Sequence, residues 1–265
     1  MVTAERQHLT GNFSGHLKQL LLIVLDECFW SGDKAAEGVL KNLITGQEHN
    51  INEKFVQGYK VRNLTRVAII GNDEWLVPAS DDERRYAVFS VGEGRKCDRK
   101  FFKEMQEGME ADNGAGYRLL LRYLLDFDLS AVDVNAAPNT AALLDQKHQS
   151  LDPFQQWWFD CLQEGRLLGG EFEEEWPDRV AVPKEKLRQM FARYLRERNV
   201  RAWVPTAEQI GRMLKACSGI TGRRARQGQA LLHAYPFPSL YECRLAWELF
   251  IGGPVAWNDS DDPQD

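Results

Sequence analysis

Residues 20–30 read LLLIVLDECFW. Six aliphatic residues, Leu20 to Leu25, run directly into the adjacent acids Asp26 and Glu27. A short continuous apolar run of this kind reads as a strand covered on both faces, as in a parallel sheet. Two carboxylates at its end are then held at the carboxyl edge of that sheet, where open α/β folds bind their ligands. A buried strand ending in Asp-Glu suits a nucleotide site, in which the Asp holds magnesium and the Glu polarises an attacking water. An ordinary strand followed by an acidic turn reads the same way.

Working outward, Asp33 to Leu43 has helical spacing through Ala36, Val39, Leu40 and Leu43. A second apolar strand, Val67 to Ile70, ends at Gly71-Asn72-Asp73, and a third is expected over Tyr86–Val91. Asn72 places a neutral amide at a strand end, suited to sensing a phosphate oxygen or water, although Gly-Asn-Asp is also ordinary turn chemistry. Arg84 and Arg85 follow Asp81, Asp82 and Glu83. They could reach a neighbour's phosphate site or pair locally with those acids. Between the first two strands, Lys54, Lys60 and Arg62 flank Phe55 and Tyr59. That pattern fits a basic hairpin able to grip a nucleic-acid backbone and stack on bases, or simply a solvated face. Helices are expected over 101–109 and 117–125. Strands alternating with helices indicate an α/β layer architecture.

Composition bounds the rest. The chain has 265 residues, 43% of them hydrophobic, enough for two domains with a sizeable core. No apolar run approaches the roughly 20 residues that a membrane span needs, so no membrane partner is expected. The five cysteines are scattered without a Cys-x-x-Cys pair, which favours neither zinc nor disulfides and suits a reducing cytoplasm. His16, His49, His148 and His233 lie far apart with no metal-ligand spacing. Net charge is −6, yet residues 183–226 hold twelve Lys/Arg against three Glu. A local basic block in an acidic chain points to a nucleic-acid contact.

The organisation changes near residue 135. Residues 136–152 read as a linker that contains a polar helix. From Pro153 an aromatic helix, a short strand near Val180–Val182, two helices, an Arg-rich hairpin and a closing helix from Ser239 outline a winged-helix-like basic domain over 153–252. Pro183 suits the first position of a helix, and Thr206 with Gln209 fits a capping box. Arg223, Arg224 and Arg226 fall at the suspected wing, and Arg212 and Lys215 on the preceding helix. Wings reach phosphates and recognition helices enter grooves, but such folds also dock proteins. Trp157 and Trp158 are read as core. Residues 253–265 form an acidic tail expected to be disordered.

The phrases GNFSGHL, LLLIVLDECFWSGDK, VLKNLITG, VAIIGNDEWLVPASDDERRYAVFSV, LDPFQQWWFDCL and PSLYECRLAWELFIG together resemble the C-terminal part of phage and plasmid primase–helicases of superfamily 3, AAA+ class. The resemblance implies a P-loop NTPase sheet over 1–135, ATP and magnesium as cofactors, DNA as partner, a homo-oligomeric ring and the cytoplasm of a bacterial or phage-infected cell. It implies Asp26 as the magnesium ligand, Glu27 beside it, Asn72 as sensor, and Arg84 or Arg85 as the finger given across the ring. Lys54 and Lys60 fall in its DNA-facing hairpin. Trp30, Asp33, Lys34 and Trp75 lie within the matching phrases without an assigned role.

One half is absent. The sequence contains no G-x-x-x-x-G-K-[ST], the loop whose amides and lysine cradle phosphates. GNFSG lacks the lysine, and GEGRKCD lacks the spacing. The chain is therefore expected to be a partial sheet: a truncated product, a fragment, or half of a split protein whose phosphate loop comes from another polypeptide. Its sheet should show unpaired edges and open apolar surface. Alone, it is expected to hydrolyse ATP near background. The alternative is a non-catalytic DNA-binding or assembly fragment working through the basic domain.

Overall fold

The structure, a computed structural model, describes residues 2–3, 11, 14–27, 34–133, 136–170, 175–227 and 230–258. For residues 2–3, 34–36, 225–227 and 230–231 only the backbone is described. Trp30, Asp33, Cys28 and the tail beyond Asn258 lie outside the described residues.

The first region builds a small parallel sheet. Strands β1 (Val2–Thr3), β2 (Leu22–Asp26) and β5 (Arg66–Ile70) stand in the order β1-β2-β5, all parallel. Helix α1 (Lys34–Thr45) and the antiparallel hairpin β3 (Glu48–Ile51) and β4 (Tyr59–Arg62) lie between β2 and β5 in the chain. Ile23, Leu25, Leu40, Leu43, Ile51, Val77, Ala79 and Tyr86 close one core on one face of the sheet. The continuous apolar run predicts cover on both faces, but among the described residues only one is covered. Leu22 and Ile70 remain 50% and 56% exposed.

The third expected strand, Tyr86–Val91, pairs with nothing among the described residues. It has no regular secondary structure and is tied by Thr140 Oγ1 donating to the Val88 carbonyl at 2.5 Å. Tyr86 is buried, while Phe89 and Val91 project into solvent. A strand needs a neighbour's backbone, and among the described residues β5 is paired on one side only, with β2. Period and composition cannot supply that non-local partner.

Next comes an arm, α2 (Arg99–Asp126), two helical halves joined through Ala111–Gly114. Asp112, Asn113 and Gly114 are left-handed there. This matches the two helices expected from the sequence.

Helix α3 (Ala141–Gln149) stands in the stretch read as a linker and joins the two cores. Leu143 belongs to the sheet core, and its neighbour Leu144 packs on the C-terminal core. Two of its polar residues, Gln146 and Lys147, are also buried. Gln146 accepts from the Leu76 and Val77 amides and donates to the Glu74 carbonyl. Lys147 donates to the carbonyls of Asp81 and Ile251, each at 2.8 Å. Such side chains are tolerated inside because their hydrogen bonds are made.

The second region comprises α4 (Pro153–Glu164), β6 (Ala181–Pro183), α5 (Lys184–Glu197), α6 (Ala207–Ser218), β7 (Arg223–Gln227), β8 (Ala230–Pro236) and α7 (Leu240–Ile251). Its antiparallel sheet has the order β6-β8-β7. Capping boxes start three of its helices: Asp152 with Gln155, Thr206 with Gln209, and Ser239 with Glu242. Each satisfies two otherwise orphaned amides. Trp157, Trp158 and Trp247 are fully buried among Phe154, Phe191 and Phe237, the core role read for Trp157 and Trp158. Gly169, at φ 85°, lies against α5. A Cβ there would stand 2.0 Å from the Met190 carbonyl oxygen, so only glycine fits.

Candidate functional site

The rim of the parallel sheet gathers part of the expected site. In the β2–β5 ladder Asp26 stands opposite Ile70, and the Glu27 amide extends it by donating to the Ile70 carbonyl at 2.8 Å. Asn72 follows two residues after Ile70. Asp26, Glu27 and Asn72 therefore leave neighbouring parallel strands at the same carboxyl edge, and all three are exposed. Along β2, Asp26 shares the half-open face with Leu22, opposite the buried Ile23 and Leu25. Glu27 is left-handed at φ 52°, a conformation that costs a non-glycine residue energy and tends to persist where surrounding structure enforces it. Two carboxylates and an amide at one wet rim are hard oxygen donors of the kind magnesium takes.

The arginine pair stands apart from this rim. No hydrogen bond or ion pair among the described residues links either arginine to Asp26, Glu27 or Asn72. The buried Glu83 carboxylate accepts from the amides of Arg84 and Arg85 and from the Arg85 guanidinium at 3.2 Å. Arg85 is thus bound into its own turn, whereas Arg84 is exposed. Ser80, whose hydroxyl donates to Asp82 at 2.8 Å, holds that carboxyl below the usual range, helped by charge from Arg84 and Arg85. Trp75 serves the structure, since its Nε1 donates to Ser150 Oγ at 2.9 Å. For Lys34 only the backbone is described.

The hairpin is fixed at its base and along the turn end of β3. Asn63 donates to the carbonyls of Leu43 and Gly46, and Ser14 bridges to Asn50 and Asn52. Its tip is open: Phe55 is 95% exposed, and the Lys54 ammonium sits 5.0 Å from its ring centroid. Lys60 pairs with Glu48 across the strands at 3.1 Å, both half exposed or more, a contact worth little to stability. A cleft of about 610 Å³ opens beside the hairpin base, lined by Glu48, Arg62, Asn63 and Arg66 among others.

In the C-terminal region, Arg212 and Lys215 are exposed on α6. Arg223 and Arg224 are exposed on β7, the edge strand of its sheet. Because alternate residues of a strand face opposite ways, Arg223 and Arg224 take opposite faces of the sheet. For Arg226 only the backbone is described, opposite Leu231. Charged side chains on an edge strand also block strand-to-strand aggregation, independent of any ligand. The sequence reading missed a groove of about 610 Å³ between α4 and α6, lined by Phe154, Trp203, Pro205, Arg212 and Met213. The isolated Trp203, 68% exposed, was its one available signal. Among the described residues no three His, Cys, Asp or Glu side chains group to hold a metal, and no helix is long and apolar enough to cross a membrane.

Comparison with known proteins adds the following. A family model described as a family of unknown function (DUF5906) matches residues 1–85. No curated protein matches the chain. Among solved structures, the apo C-terminal region of NrS-1, residues 305–718 of that protein, is similar at 17% identity with a TM-score of 0.59. The A form of the same region gives 17% identity and 0.59, and a second A-form structure gives 16% and 0.57. The first match covers 89% of this chain and 59% of that one. The chain therefore spans about three-fifths of the structures it matches, and at this identity the likeness is one of fold.

Proposed function

We propose that this chain is part of a phage-type replicative DNA helicase, from the C-terminal part of a primase–helicase. The phrases that resemble phage primase–helicases, together with the fold likeness to the C-terminal region of NrS-1, support this. The observation that carries the reading is the parallel pairing of β2 with β5, which brings Asp26, Glu27 and Asn72 to one rim. In this reading Asp26 is the magnesium ligand, Glu27 orients the attacking water and Asn72 senses the γ-phosphate. Of the two arginines, the exposed Arg84 suits a finger given to a neighbouring subunit in a ring better than Arg85, which Glu83 already holds. Lys54 and Lys60 face DNA from the hairpin. The helix, strand, helix, helix, hairpin, helix order of residues 153–252 supports a winged-helix-like module, with Arg212, Lys215, Arg223, Arg224 and Arg226 as its DNA contacts.

The rim fits magnesium with ATP only in part. Its carboxylates and amide suit the metal side, while the sequence offers no phosphate loop to cradle the triphosphate. A separate polypeptide segment would supply that loop, and the one-sided β5 with exposed Ile70 leaves space for it. The same lack favours the second reading, a non-catalytic DNA-binding or assembly fragment.

One experiment addresses both. The triple replacement of Arg223, Arg224 and Arg226 by alanine should weaken binding to duplex and single-stranded DNA and reduce the salt slope by about one per lost phosphate contact. Unchanged affinity at low salt removes the module from DNA binding. In the same preparation, ATP turnover stays near background. Robust turnover that Glu27→Gln abolishes would overturn the partial-site reading and dismiss the non-catalytic one.

A further inference from the structure

Trp203 stands largely exposed in the segment between α5 and α6 and lines the groove between α4 and α6. Its neighbours hold it there. Ala202 and Val204 pack on the C-terminal core, Pro205 is buried, and the Val200 amide donates to the Leu195 carbonyl at 2.9 Å. The fixed φ of Pro205 adds stiffness. The indole is therefore carried on an anchored frame, so little order is lost when a ligand stacks on it. Phe154, Phe191 and Met213 supply more of the apolar lining, and Arg212 is the lining cation. A wide aromatic ring beside an apolar groove offers a face for another flat ring system.

We propose that this groove takes an unpaired base of single-stranded DNA, stacked on Trp203, with the flanking phosphates held by Arg201, Arg212 and Lys215. The inference rests on the DNA-binding reading of the basic module and gives that module a preference for single strands. Charge favours this occupant. Residues 196–215 carry five Lys/Arg against two Glu, and one of the two, Glu197, is paired with Arg193 at 2.7 Å. Arg201, Arg212 and Lys215 are exposed and make no ion pair or side-chain hydrogen bond among the described residues. Cations around an aromatic platform hold a single strand by its backbone and its bases together. Asp152, the one carboxylate among the described lining residues, caps the Phe154 and Gln155 amides at a helix N-terminus, which offsets its charge. An extended peptide fits less well. The lining residues lie on helices and loops and present no strand edge, and the Phe154, Gln155 and Gln209 amides are already held by their caps. A duplex keeps its base faces within its own stack, so it gains nothing from Trp203.

The test uses the full chain and three labelled probes at low salt: a short oligothymidylate, a hairpin duplex, and an abasic strand of the same length as the oligothymidylate. Trp203→Ala should weaken oligothymidylate binding about fivefold to a hundredfold, the range for one stacked base, and leave duplex affinity unchanged. Trp203→Phe should restore most of the loss. The abasic strand should bind the unaltered chain as weakly as oligothymidylate binds Trp203→Ala, and should not respond to that change. Arg212→Ala should instead lower the salt slope by about one, which Trp203→Ala leaves alone. Because Trp203 is exposed, its replacement leaves the fold in place, which far-UV circular dichroism checks. Oligothymidylate binding indifferent to Trp203→Ala, equal losses on single strand and duplex, an abasic strand bound as tightly as oligothymidylate, or capture of an acidic amphipathic peptide in place of the strand would each overturn the proposal. The DNA-binding reading survives those outcomes if the triple arginine variant still loses affinity, whereas a chain that binds none of the DNA probes overturns both.

Discussion

The two cores of this chain are built from similar residues and end in different states. The C-terminal core closes around three tryptophans of zero exposure, with sheet, helices and loops covering every side. The N-terminal core covers one face of its parallel sheet and leaves Leu22 and Ile70 half open. Antiparallel pairing explains part of the contrast. The order β6-β8-β7 is completed within residues 181–236, and β7 ends that sheet with charged side chains. The parallel sheet ends at β5 with apolar ones. Parallel strands require helices on both faces, so a parallel sheet covered on one face is incomplete in a way an antiparallel one is not.

The contrast breaks if stability is spread evenly. Trp158→Ala should cost about 3–5 kcal/mol, because its partners Trp176 and Phe237 cannot fill the space. Leu22→Ala, on the open face, should cost about 1 kcal/mol or less. Urea midpoints of the two variants measure this directly, and equal losses would show that the sheet is as closed as the C-terminal core.

The next largest effect concerns the tie between the regions. Gln146→Ala strands the amides of Leu76 and Val77 and should cost about 1–3 kcal/mol. Hydrogen exchange should rise at residues 74–79 while the amides of α5 and α6 keep their protection. Loss spread equally over both regions would mean that they unfold as one unit.

The smallest effect is a pH slope. His148 packs on Phe159 with ring centroids 4.8 Å apart, and its Nε2 is buried without a hydrogen-bond partner among the described residues. Burial pushes its pKa below the ordinary 6.5. The folded state thus prefers the neutral ring. The stability this gives is complete above pH 6.5 and falls as pH drops below it, because the unfolded chain takes up the proton first. His148→Phe should flatten that decline in melting temperatures measured from pH 8 to 5. A residual slope from His49, also lowered by burial, remains.

Local chemistry was legible in the sequence, and non-local pairing was not. Strands β2 and β5 follow from their apolar runs, and α6 follows from the Thr206–Gln209 box. Those signals span four to six neighbouring residues. Tyr86–Val91 has the same apolar signal as β5 but no strand partner among the described residues, so it stays unpaired. Gln146 and Lys147 read as linker residues because polar side chains between two prolines suggest solvent. Only the Leu143-Leu144 doublet hinted that α3 faces apolar surface on two sides. At the rim, the order of Asp26, Glu27 and Asn72 along the chain matched their shared edge. Glu83 directly before the arginines was the clue that one of them would be held locally, and the structure assigns that part to Arg85.

The position of α3 has a mechanical consequence. Gln146 grips the backbone of residues 74–77, just past Asn72, while one residue along Lys147 holds the end of α7 through the Ile251 carbonyl. A single helical turn therefore couples the two cores directly: displacing the end of α7 pulls on the same turn that holds the backbone just past Asn72.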